Sequence, residues 1–126
     1  MISTDVKVHS AYKDSGVDWL GTVPAHWAVN RLKDLGKSII GVTYSPDDVV
    51  EDYSQGVLVL RSANIQNGRL DLADTAHIRH EISSRQTLRK GDILICSRNG
   101  SRALIGKNIL IDERTEGCTF GAFMTI

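Results

Sequence analysis

No stretch of this 126-residue sequence approaches the roughly 18 apolar residues that a membrane-crossing helix needs. Its strongly apolar runs are short, as in Val57–Leu60. The opening residues, MISTDVKVHSAYKDSG, contain no apolar core of a secretory signal. Cysteine is scarce: Cys96 and Cys118 stand far apart with no CxxC spacing. That pattern favours two small apolar residues in a reducing compartment over a disulfide, and the expected location is the cytoplasm. The four histidines are scattered. His77-x-x-His80 would put two ligands on one face of a helix, but nothing completes a zinc set, and no metal is expected. The composition shows no collagen-like, disordered or low-complexity bias.

A phosphate-binding loop is also missing, although Arg98–Asn108, RNGSRALIGKN, comes near to one. The Walker A pattern, G-x-x-x-x-G-K-[ST], wraps phosphates in glycine amides and uses its hydroxyl for magnesium. Here five residues separate Gly100 from Gly106, and Lys107 is followed by Asn108, which has no hydroxyl. The continuation Ile109-Leu110-Ile111 reads as a strand, not the required helix. The mismatches count against an enzyme acting on nucleotides through Gly100–Lys107. Neither an Asn-Pro-Pro-Tyr methyltransferase motif nor a nuclease carboxylate–lysine cluster is present. Asp47, Asp48, Glu51 and Asp52 lie together, but at a helix start, where acids are expected. No cofactor is expected.

The net charge of zero conceals an uneven distribution. Residues 1–56 hold five basic against eight acidic side chains, and residues 108–126 hold one against three. Residues 57–107 hold nine basic against four acidic, and seven of the nine are arginine. Arginine is suited to forked contacts with phosphate and with guanine edges. The alternative is a solvated face with ordinary ion pairs.

The length is that of one domain. Residues 1–11 read as a loose tail and residues 12–126 as the domain. Trp19, Leu20, Val23 and Trp27 are the buriable anchors of a turn-rich opening segment. Arg31–Leu35 reads as a short strand or turn. Ser45-Pro46 reads as a cap followed by a first helical residue. Val57–Ile78 reads as a hairpin around Asn67-Gly68, the strongest short signal for a type I′ turn. Ser83-x-x-Gln86 predicts a capping box and a helix of about two turns ending at Lys90-Gly91. Ile93–Cys96 and Leu104–Ile111 read as a second hairpin with Arg98–Arg102 in its loop, and Gly106 predicts a bulge. The fold class is mixed α/β: a twisted, mixed or antiparallel sheet with hairpin loops and short helices.

Three groups of residues then point to a family. Tyr12-Lys13-Asp14-Ser15-Gly16, Trp19-Leu20-Gly21 and Pro24-Ala25-His26-Trp27 resemble, in type and spacing, the opening of target-recognition domains in the specificity (S) subunits of type I restriction-modification systems. LRSANIQNGRL resembles the family's strand with an Asn-Ile pair and a glycine turn. KGDILICSRNGSRALIGKN resembles its Gly-Asp, strand, loop, Gly-Lys element. The resemblance covers nearly all of Tyr12–Ile126. It implies a non-catalytic, sequence-specific DNA-recognition module that reads half of a split target. Its implied partners are double-stranded DNA, the methyltransferase (M) subunit and, through the complex, the restriction (R) subunit. Such subunits carry two recognition domains and spacer helices, so the length leads to the expectation of one domain, incomplete at its C-terminus and without a spacer helix.

For phosphate the candidates are Lys107, Arg69 and Arg89; for bases they are Arg98, Asn99 and Arg102, with Asn64 and Gln66 on the first hairpin. Alternatively Asn99 and Gly100 only shape a turn between solvated arginines. Tyr12, Trp19, Leu20 and Trp27 are either partner-facing or core. A competing function is an assembly fragment that occupies M subunits, or self-associates through an exposed strand edge, without reading DNA.

Overall fold

In the computed structural model, residues 7–126 are described. The expected tail over residues 1–11 therefore lies partly outside the described residues. Contact density divides the chain into two units, up to Gly36 and from Lys37 to Ile126.

In the first unit, β1 (Tyr12–Asp14) pairs antiparallel with β2 (Thr22–Pro24). The reversal is built from short polar side chains. The Asp14 carboxylate accepts from the Gly16 N–H at 2.9 Å, and Ser15 Oγ both accepts from and donates to the Val17 backbone. Gly16 and Gly21 sit at positive φ on either side of the Asp18–Leu20 turn, which throws Trp19 outward. The expected anchors are corrected accordingly. Val23 is buried, whereas Trp19 is 85% exposed and Leu20 and Trp27 are exposed as well. Tyr12 is exposed too; His9 meets its ring edge-on, and also that of Trp27. Residues 31–35, expected as strand or turn, contain a single helical turn, α1 (Leu32–Leu35), with both leucines in solvent.

The second unit carries nine short strands: β3 (Val49–Val50), β4 (Val57–Leu60), β5 (Ile65–Gln66), β6 (Arg69–Leu70), β7 (Ala76–Ile78), β8 (Ile93–Cys96), β9 (Asn108–Leu110), β10 (Thr119–Phe120) and β11 (Met124–Thr125). One sheet has the order β10-β4-β7-β3, parallel only between β10 and β4; another has the order β11-β8-β9, all antiparallel. The expected mixed fold forms, but as several small sheets rather than one twisted sheet. Alternation along β8 turns Leu94 and Cys96 inward onto Leu60, Ile65, Phe120 and Met124. Val42, Val59 and Ile78 form a smaller cluster. The chain passes so close at Gly41 that a Cβ there would run into the carbonyl oxygens of Phe120 and Gly121.

Two expectations from local signals turn out differently. Ser45-Pro46 does start a helical turn, with the Asp48 carboxylate accepting from the Ser45 N–H at 2.8 Å, but it is one 3-10 turn. The helix expected from Ser83 to Lys90 is absent; only Ser84–Gln86 make a 3-10 turn. Leu88 is fully buried, its N–H donating to the Cys118 carbonyl and its carbonyl accepting from Gly117. A two-turn helix is marginal by itself, and long-range pairing took its backbone.

Candidate nucleic-acid interface

The first hairpin forms in the expected register but not as a continuous ladder. β4–β7 and β5–β6 share one register around Asn67-Gly68, whose φ values of 52° and 71° suit a type I′ turn. Between the two ladders the arms part, and Ser62–Asn64 makes a 3-10 turn. Asn64 holds the gap closed. Its Oδ1 accepts from the Arg61 N–H at 2.9 Å, and its Nδ2 donates to the carbonyls of Asp71 (2.9 Å) and Asp74 (2.8 Å). Asn64 is 0% exposed. Its assignment as a base reader is therefore corrected, because no edge of the amide is left for a ligand. Gln66 is exposed, with Nε2 donating back to the Ala63 carbonyl, and Arg69 is exposed beside the turn.

The second hairpin joins β8 to β9 with Ile93 opposite Leu110. The return arm begins at Asn108, not Leu104, because Arg102–Leu104 is a 3-10 turn inside the loop. Gly106 forms the expected bulge: its N–H donates to the Cys96 carbonyl while the Cys96 N–H donates to Lys107, so two residues face one, with Gly106 at φ 94°. At the other end of the loop, the N–H groups of Ser97 and Arg98 both donate to the Phe123 carbonyl at 3.0 Å. Asn99 shapes the turn, accepting from the Ser101 N–H, and its Nδ2 reaches Ser62 Oγ at 3.2 Å. Arg98 and Arg102 are exposed.

Lys107, expected at a phosphate, points into the protein. Its Nζ donates to the carbonyls of Ser62 and Ile65, each at 2.9 Å. This corrects its assignment and also removes it from any phosphate-binding loop. Arg89 is exposed but precedes β8, at the opposite end of that strand from Arg98, so it stands apart from the loop residues.

The two hairpins share one concave surface, an open cavity of about 830 Å³. Arg61–Ala63 line it from the first hairpin and Arg98–Gly100 from the second, with Tyr44 and Phe123 on its walls. Arg61 and Phe123 were not among the candidates. Arg61 is placed by the register, which sets it across from Asp74; Nη2 lies 3.2 Å from that carboxylate, while Nε is buried without a hydrogen-bond partner. Phe123 carries no sequence signal, since only the β11–β8 pairing brings it to the loop.

No protein-family model matches the sequence, and no solved structure matches it. Two curated proteins do. The chain is 30% identical over 105 residues to the type I restriction enzyme StySPI specificity subunit of Salmonella potsdam, and equally to the EcoKI specificity subunit of Escherichia coli K12. The chain is a relative of type I restriction specificity subunits. The aligned region is 82% of this chain but 22% of each relative, so the chain spans less than a quarter of their length. The resemblance read from the tryptophan segment and the two hairpins is thus supported along most of the sequence. Among the described residues no helix is long and apolar enough to cross a membrane.

Proposed function

We propose that this specificity-subunit relative is a non-catalytic DNA-recognition module of a type I restriction-modification system, working in the cytoplasm. Residues 12–126 belong to a target-recognition domain that reads half of a split site and directs methyltransferase and restriction subunits to it. The observation that carries this reading is the meeting of the two hairpins. Arg98 and Asn99 stand on one concave surface with Arg61 and Ser62, inside the basic segment of residues 57–107 in a chain whose net charge is zero. Arg98 and Arg102 are the arginines for guanine edges, Gln66 suits an adenine edge, and Arg69 suits phosphate. Asn99 orients Arg98 through its bond to Ser62.

The test is selection from randomised DNA duplexes, with and without a methyltransferase subunit, at low and near-physiological salt. One short motif is expected to emerge. Arg98→Ala and Arg102→Ala should each cost about 1–3 kcal/mol of discrimination at a motif position. Binding that shows no motif and vanishes with salt would reduce the basic middle to an electrostatic surface.

A second reading, assembly with the methyltransferase subunit without DNA reading, is favoured by the exposure of Trp19, Trp27 and Leu32 in the first unit. Co-purification with that subunit in the absence of DNA, together with failure to select a motif, would establish it.

A further inference from the structure

Lys107 directly follows the bulge glycine and is half-buried. Two of its three ammonium donors are committed to the carbonyls of Ser62, the first residue of the turn between the ladders of the first hairpin, and of Ile65, just after it. A second tie runs beside it, from Asn99 Nδ2 to Ser62 Oγ. Beneath both lies Cys96, fully buried, its Sγ 3.6 Å from Ser62 Oγ and 3.5 Å from the Arg98 carbonyl. The loop that carries Arg98 and Arg102 is therefore fastened to the hairpin that carries Gln66 and Arg69 through one serine and one lysine. To reach a phosphate, Lys107 would have to give up two charge-assisted bonds in a partly desolvated place.

We infer that Lys107 and Ser62 are positioning residues that fix the second loop against the first hairpin, and so set sequence selectivity without touching DNA. This rests on the DNA-reading function proposed above. The side chains that meet bases act together only when their spacing matches that of successive base pairs. The two hairpins already share a core through Leu60, Ile65, Leu94 and Cys96; the brace adds a fixed placement of the second loop against the turn of the first hairpin before DNA arrives.

The experiment compares the full chain with Lys107→Met and Ser62→Ala. Affinity for the selected motif and for random duplex is measured across a salt series. In parallel, alkylation of Cys96 by N-ethylmaleimide is timed by peptide mass spectrometry, which separates it from Cys118. Both variants should lose roughly tenfold in preference for the motif, keep the salt slope, and alkylate faster at Cys96. A salt slope reduced by about 0.9 in Lys107→Met, with Cys96 as protected as before, would make Lys107 a phosphate contact and overturn the proposal. So would variants indistinguishable from the parent. If Lys107→Met does not fold, Ser62→Ala decides, because it keeps every charge and both carbonyls; unchanged preference and protection there would sink the idea. If the parent chain selects no motif, the DNA-reading function fails, while the alkylation rates still decide whether Lys107 and Ser62 hold the two hairpins together.

Discussion

Asn64 shows how a polar residue can be misjudged from its neighbours. In LRSANIQNGRL it stands among residues suited to base edges, and the sequence invites that role. Its position in the register tells otherwise, because it falls inside the hairpin, opposite Asp71, where the arms separate. An amide there replaces the missing ladder with two donors and an acceptor. Replacing it with leucine would strand the Arg61 N–H and the Asp71 carbonyl. We expect Asn64→Leu to destabilise the chain by about 2–4 kcal/mol. The check is a denaturant titration showing a lower midpoint with unchanged slope. A stability within error of the parent would mean that the amide does not hold the gap.

At the scale of elements, turns carry more of this molecule than helices do. The segment after β9 is an example. Asp112 accepts from the Arg114 N–H at 3.0 Å and from both ends of its guanidinium, and the hydrogen bond to the Arg114 side chain is the main cause that holds its carboxyl below the usual range. A carboxyl with a lowered folded-state pKa contributes its full stabilisation above its unfolded value, near 3.9, and loses it as pH falls from there through the lower folded-state value. Thermal melts of the parent and of Asp112→Asn should differ at pH 7 and draw together as pH falls below the ordinary carboxylate range. A gap independent of pH would assign the effect to the turn's geometry alone. Local signals served well where a turn depends on its own residues, as at Ser45-Pro46, Asn67-Gly68 and Gly106. They failed at Ser83–Lys90, because the backbone of Leu88 pairs with residues some thirty positions away.

For the whole molecule, the division of the chain matters most. Both tryptophans lie in the first unit and both are exposed, while every residue proposed for DNA lies in the second. Tryptophan emission therefore reports on one unit only. It should be red-shifted and readily quenched by iodide in the isolated chain. It should remain so when a selected duplex is added, and shift to the blue, with quenching reduced, when a methyltransferase subunit binds. A blue shift on adding DNA alone would place the duplex against the first unit and contradict the division of labour.

The sequence by itself determined the turns at Ser45-Pro46, Asn67-Gly68 and Gly106, the pairing of β8 with β9, the concentration of arginine between residues 57 and 107, and the family resemblance. Each of these depends on residue type and on spacing over a few positions. Only the tertiary structure decided which polar side chains face outward. Asn64 and Lys107 turn inward because parted strands and a loop leave partly buried backbone carbonyls without ladder partners. Trp19 turns outward because it sits at the tip of a reversal flanked by two positive-φ glycines, and Trp27 stays half exposed with the His9 and His26 rings against it. Hydrogen-bond satisfaction and burial are properties of the assembled molecule, so a string of residues leaves the choice between reader and brace open until the strands are in place.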